Sequence, residues 1–163
     1  MINNKKENKG LKVISLCGGI ETGLLALIEL GIPISEYHTY EILPEAIEVS
    51  KYHFPFVIHH GDLIGEDFTK YKGFDLLLCG SCCQSLSRLR IEDKEVSSGL
   101  KGKSGIFYEV IRALEEIKPK WFMFENVIPS NEEDLYEMTQ QILKHYYNCN
   151  EWEVVEDITH QRS

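Results

Sequence analysis

Apolar residues along this chain fall into short runs parted by glycine, proline and polar turns, and the runs alternate between two periods. Leu11–Leu16 is a compact apolar run that stops at Cys17-Gly18-Gly19, and Thr22–Leu30 then carries apolar residues at helical spacing until Gly31. That pattern predicts a strand, a glycine turn and an amphipathic helix. Tyr37–Ile42 reads as a second strand closing on Glu41, and Pro44 fits the first turn of a helix running to about His53. Phe56–His59 predicts a third short strand ending at Gly61-Asp62. Phe74–Cys79 is the most apolar strand candidate, as expected of a strand buried on both faces of a parallel sheet. Residues 81–103, rich in Ser, Lys, Arg and Gly, show no period and predict a long loop of the kind that usually serves function. Gly105–Ile117 predicts a helix, Pro119 turns the chain into a fifth strand over Trp121–Phe124, and a further helix is expected from about Glu132 to Tyr146 with Asn131 as its cap. Trp152–Val155 predicts a last strand. Strands alternating with helices across short connections predict an α/β fold with a mostly parallel sheet.

In open α/β sheets ligands bind beyond the carboxyl ends of the strands, where strand order reverses. The candidate chemistry all falls at such ends: Gly18-Gly19 after the first strand, Glu41 after the second, Asp62 after the third, Cys82-Cys83 after the fourth and Glu125-Asn126 after the fifth. The glycines by themselves fit a tight turn as well as a ligand cradle, and they do not complete a dinucleotide fingerprint. Glu41 is placed to accept bonds from the two ribose hydroxyls of a nucleoside, and Asp62 either caps a helix or receives the exocyclic amine of an adenine. Cys83 lies in a loop just past a buried strand, where backbone donors and exposure can lower a thiol's pKa; a redox pair with Cys82 is the rival reading, although redox pairs usually have two residues between the cysteines. Glu125 follows the apolar run Trp121-Phe122-Met123-Phe124, so partial burial is expected to keep it protonated near neutrality; its plainer reading is a buried acid satisfied by amides. Cys17, Cys79 and Cys149 read as small core or surface residues.

Composition narrows the partners. The 163 residues, 43% hydrophobic, can bury one domain's core. No run approaches the roughly 20 apolar residues of a membrane helix, and the polar start Met1–Lys9 lacks a secretory signal's apolar segment, which predicts a cytoplasmic setting. Five cysteines, two of them adjacent, suit neither a disulfide framework nor a zinc site. A formal charge of -9 is the wrong sign for holding a polyanion unaided, but Arg88, Arg90, Lys94, Lys101 and Lys103 cluster after the cysteine pair.

Taken in order, these motifs resemble the catalytic half of the C5 cytosine-specific DNA methyltransferases, most closely the animal de novo type and its phage relatives. Val13 to Leu25, with Cys17-Gly18-Gly19-Ile20-Glu21-Thr22 at its centre, is similar to the family's first cofactor motif, and the cysteine loop to its nucleophile motif. Gly99-Leu100, Ser104–Glu109 and Lys118 through Glu125-Asn126-Val127 resemble the segment leading into its Glu-Asn-Val motif. His160-Gln161-Arg162 resembles the start of its Gln-x-Arg motif.

The resemblance implies a Rossmann-like S-adenosylmethionine-dependent methyltransferase fold with helices on both sheet faces, incomplete at the C-terminus. Residues 1–10 would be a polar tail and 11–163 the S-adenosylmethionine-binding catalytic domain, with no target-recognition domain. Gly18, Gly19, Ile20, Glu21, Thr22, Glu41, Asp62 and Leu63 are the implied cofactor-binding residues. Cys83, Glu125, Asn126 and Arg162 are the implied catalytic set, and no metal is called for. The implied reaction transfers a methyl group from S-adenosyl-L-methionine to carbon 5 of a cytosine flipped out of DNA, through a covalent Cys83 adduct, with target recognition supplied either by a second subunit or by the rest of a longer chain. Cys82 stands where the family has proline, so the nucleophile loop is expected to be less rigid, and Cys17 stands where the family usually has an aromatic residue, so packing around the cofactor is expected to be weaker. Two alternatives stay open: an inactive truncated remnant that binds a cofactor or a partner, and an RNA cytosine methyltransferase.

Overall fold

The computed structural model describes residues 10–80, 106–126 and 132–145. Within them, β1 (Leu11–Leu16), α1 (Thr22–Glu29), β2 (Ile34–Tyr40), α2 (Pro44–His53) and β3 (Ile58–His60) follow one another. A 3-10 turn at Phe68–Tyr71, β4 (Leu76–Gly80), α3 (Ile106–Ile117), β5 (Trp121–Glu125) and α4 (Glu132–His145) come next. The strands form one parallel sheet in the order β3-β2-β1-β4-β5. Chain order therefore reverses between β1 and β4, and the ground beyond their carboxyl ends is where open α/β sheets place a ligand crevice.

Side-chain alternation sorts the strands onto two layers. Val13 of β1 and Leu76 and Leu78 of β4 face α1, where Leu24, Leu27, Tyr37 and Val57 complete the smaller core. Ile14 and Leu16 of β1 and Leu77 and Cys79 of β4 point the other way. They pack beneath α3 and α4 with Phe107, Val110, Leu114, Met138 and Ile142. The period-2 split explains why both central strands read as continuous apolar runs.

Several expected boundaries move for physical reasons. β2 begins at Ile34 and ends at Tyr40, leaving Glu41 just beyond it. Its polar start is held by Lys12, whose ammonium pairs with Glu36 at 2.7 Å, and by Ser35 donating to the Gly10 carbonyl at 2.7 Å. β3 starts at Ile58, since the Val57 amide closes a turn on the Phe54 carbonyl. The 3-10 turn was not anticipated; Asp67 caps it by accepting from the Thr69 amide at 3.0 Å. Cys82, Cys83, the 81–103 loop, Asn131, Cys149, the Trp152–Val155 strand and Arg162 lie outside the described residues.

Among the described residues no helix is long and apolar enough to cross a membrane, and no cluster of His, Cys, Asp or Glu could hold a metal. Cys17 and Cys79 form no disulfide, and Cys79 is buried in the larger core.

Candidate active site

The turn after β1 is built by glycine for two different reasons. Gly19 adopts φ +58°, the left-handed region that favours glycine, and open space surrounds the position of a missing Cβ. At Gly18 the reason is crowding: a Cβ would overlap the Glu21 carboxylate and the Thr39 hydroxyl. The Cys17 amide donates to the Tyr40 carbonyl at 2.9 Å, so the turn stays fastened to the end of β2 as it leaves the sheet.

Glu41 joins the ends of two strands. Its Oε2 accepts from the Gly19 amide at 2.8 Å, and its Oε1 from the amides of Ile42 at 2.8 Å and Leu43 at 2.9 Å. Three backbone donors fix this carboxylate at the mouth of the crevice, and each oxygen can accept from more than one donor. The expected position of Glu41 is thus matched by a held geometry.

Asp62 is exposed beyond β3, and its Oδ1 accepts from the Ile64 amide at 3.0 Å. Leu63 is buried in the larger core, which leaves its backbone, not its side chain, for any ligand. This segment is anchored at both ends. Before it, the His38 and His60 rings meet at Nδ1···Nε2 2.9 Å, with Tyr40 stacked on His60. After it, Arg112 donates to the Glu66 carbonyl at 2.7 Å, while the amides of Gly65 and Phe68 donate to Glu109 and Glu116 on α3. Sequence reasoning missed Arg112, because Glu109, Arg112 and Glu116 at helical spacing look like any solvated charged face.

On the other side of the crevice β4 and β5 end level, with Gly80 paired to Glu125. A Cβ on Gly80 would sit 3.6 Å from the Cys17 carbonyl and 3.7 Å from Glu125 Oε2. The ends of β1, β4 and β5 therefore meet at one point, and the chain toward Cys83 departs from it. Glu125 is exposed, contrary to the expected partial burial. The alternation explains the difference: Phe122 and Phe124 turn into the larger core, which directs Trp121, Met123 and Glu125 to the opposite face.

The other residues of the first motif divide sharply. Ile20 and Thr22 are exposed, whereas Glu21 is 1% exposed. Its Oε2 accepts from the Tyr37 hydroxyl at 2.7 Å and its Oε1 from the Thr39 hydroxyl. Burial pushes the Glu21 carboxyl above its ordinary range, against the opposing pull of the Thr39, Tyr37 and Ser15 hydroxyls, and the Glu41 carboxylate adds to the rise. The carboxylate therefore faces β2 and not solvent. Ile42, Leu43 and Ile64 were not singled out from the sequence, yet all three are exposed apolar residues following β2 and β3. A single exposed apolar residue carries no signal by itself; their shared place at the strand ends appears only in the fold.

Comparison with known proteins shows the family and the fold. A family model described as C-5 cytosine-specific DNA methylase matches residues 11–159. The chain is 35% identical over 108 residues to the type II methyltransferase M.NgoBV of Neisseria gonorrhoeae, covering 64% of this chain and 24% of that protein. It is 32% identical over 123 residues to the orphan methyltransferase M.SPRI of Bacillus phage SPR, covering 72% of this chain and 26% of that protein. The chain thus spans about a quarter of the length of these curated relatives. The solved structure of the S. pombe Dnmt2 methyltransferase superposes with a TM-score of 0.61 at 22% identity, over 85% of this chain and 42% of that one, and shares the fold.

Proposed function

The chain belongs to the C-5 cytosine-specific DNA methylase family, and from that premise we propose that it forms the cofactor-binding and catalytic part of a DNA (cytosine-5-)-methyltransferase. The observation that carries this reading is the Glu41 carboxylate bonded to the Gly19 amide at 2.8 Å, at the point where strand order reverses. The relatives' printed names, type II and orphan methyltransferases, favour the same activity.

The residues present fit S-adenosylmethionine. Glu41 offers a fixed acceptor for ribose hydroxyls, and the bare Gly18-Gly19 turn allows close approach of the chain. The exposed apolar side chains Ile20, Ile42, Leu43 and Ile64 offer nonpolar surface to a purine, while Asp62 offers a carboxylate to its amine. In this reading Thr22 and the backbones of Glu21 and Leu63 complete the cradle. When bound, the sulfonium supplies an electrophilic methyl group.

The chain's own residues perform the rest. Carbon 5 of cytosine is a weak nucleophile, so the Cys83 thiolate adds to carbon 6 while Glu125 hydrogen bonds or protonates ring nitrogen 3. The electron pair thereby made available at carbon 5 would take the methyl group, with the sulfonium's S–CH3 bond breaking to leave a neutral thioether. Loss of the carbon 5 proton to a base and expulsion of the Cys83 thiolate then restore the ring. Exposure of Glu125 suits a group that must reach a base arriving from solvent, and Asn126 and Arg162 orient the loop and the base. Because the target lies inside a duplex, it must be flipped out. The formal charge of -9 favours a basic DNA-holding surface contributed from beyond these residues, by the same polypeptide or by a partner.

Equilibrium binding of S-adenosylhomocysteine to the folded chain tests the cofactor half of this reading. Saturable one-to-one binding that Glu41→Ala weakens is the expected result. A folded chain that binds none would overturn it.

A further inference from the structure

Among the described residues Glu21 is a buried titratable group whose side chain the mechanism leaves unused, and its setting is unusual in three respects. It occupies the position preceding α1 with φ +67°, a conformation non-glycine side chains rarely adopt. It makes no side-chain cap to that helix, although an acid there would ordinarily bond the first free amides. Its carboxylate turns inward instead, onto hydroxyls of Tyr37 and Thr39 on β2, close enough to Gly18 that no side chain fits between them.

The consequence lies in the turn, not the helix. The Glu21 amide donates to the Gly18 carbonyl at 2.9 Å, closing the turn from within. From outside, Glu41 accepts from Gly19. The two carboxylates bracket the same pair of glycines, one buried beneath the turn and one at the mouth of the crevice. Ser15 on β1, Tyr37 and Thr39 on β2 and Glu41 beyond β2 are the groups that face or act on Glu21.

We propose that Glu21 is a positioning residue of the cofactor turn: anchored on Tyr37 and Thr39, it fixes Gly18-Gly19 in the geometry that lets Glu41 meet a ribose. The inference rests on the cofactor reading above. It separates Glu21 from its neighbours Ile20 and Thr22, since Glu21's side chain never meets the ligand and acts only through the turn.

The test measures affinity for S-adenosylhomocysteine by calorimetry, alongside melting temperature, for wild type, Glu21→Ala, Glu21→Gln, Thr39→Val and Ile117→Ala. Ile117 is fully buried at the far end of α3 and serves as a control for general destabilisation. Glu21→Ala weakens binding by about tenfold or more, the equivalent of one charge-assisted hydrogen bond. Glu21→Gln, which keeps shape and one acceptor, restores affinity to within about threefold of wild type. Ile117→Ala lowers the melting temperature at unchanged affinity. If Glu21→Ala does not fold, Thr39→Val removes one anchor without touching Glu21 and is expected to weaken binding in the same direction. Wild-type binding combined with unchanged affinity in Glu21→Ala, or in Thr39→Val where that variant stands in, overturns this inference alone. No binding by wild type overturns the cofactor reading and this inference with it.

Discussion

Replacing Glu41 by glutamine probes the crevice with the smallest change of shape. The carboxylate accepts from three amides: Gly19 on one oxygen, Ile42 and Leu43 on the other. Glutamine can keep its single oxygen on Ile42 and Leu43, which leaves its amide nitrogen opposite the Gly19 N–H, donor against donor. A hydrogen bond to a charged group contributes about 1.5–3 kcal/mol, so the variant should lose about that much stability. At roughly 2–4 °C per kcal/mol for a chain of this size, the melting temperature falls by about 3–12 °C. A ribose hydroxyl that depended on the lost oxygen forfeits a similar amount, which weakens cofactor binding by about 10–150-fold. Thermal melting read by circular dichroism and calorimetric titration with S-adenosylhomocysteine measure the two effects separately. A variant that melts with wild type and binds within threefold of it would refute the reasoning, because neither the turn nor the ribose would then depend on Glu41.

Gly18→Ala places a Cβ against the Glu21 carboxylate and the Thr39 hydroxyl; cofactor affinity should fall at least about tenfold, since relief requires the Glu21 carboxylate to leave its anchor on Thr39 or the turn to shift. Phe107→Ala empties the centre of the larger core, where Phe107 is 1% exposed, and should cost about 3–5 kcal/mol in urea unfolding. The Glu21 carboxyl, raised chiefly by burial, holds its proton in the fold at pH values where the unfolded chain has lost it. Its contribution is therefore fully present below the ordinary glutamate value and declines as pH rises through the raised one. The stability difference between wild type and Glu21→Gln, measured by urea titration across that window, should move against wild type with increasing pH; an invariant difference would count against the assignment.

The central strands and the glycine turn after the first of them are legible in the sequence because each obeys a local rule. Leu76–Cys79 is apolar since both faces of β4 are covered, and Gly19 is glycine since its φ is positive. Glu41 was legible as an acid closing a strand, but not as the bond between two strand ends, which exists only once β1 and β2 lie side by side. Glu21 stood in the first motif like its neighbours, and nothing in its spacing separates a side chain turned toward a ligand from one turned toward Tyr37 and Thr39. The apolar neighbours of Glu125 predict partial burial, whereas the alternation of β5 turns it outward. The anchoring of residues 61–68 by Arg112 is invisible for the same reason as the Glu41 bond: its partner there, Glu66, is 46 residues away in sequence.

The most direct test of the whole account traps the covalent step. A duplex carrying 5-fluorocytosine, incubated with S-adenosylmethionine, the chain and any polypeptide that supplies target recognition, arrests the reaction after methyl transfer, because fluorine at carbon 5 cannot leave as the proton does. The account predicts a denaturant-stable protein–DNA adduct with wild type and none with Cys83→Ser. A wild-type protein that binds both cofactor and DNA yet forms no adduct, or an adduct that survives in Cys83→Ser, would contradict it.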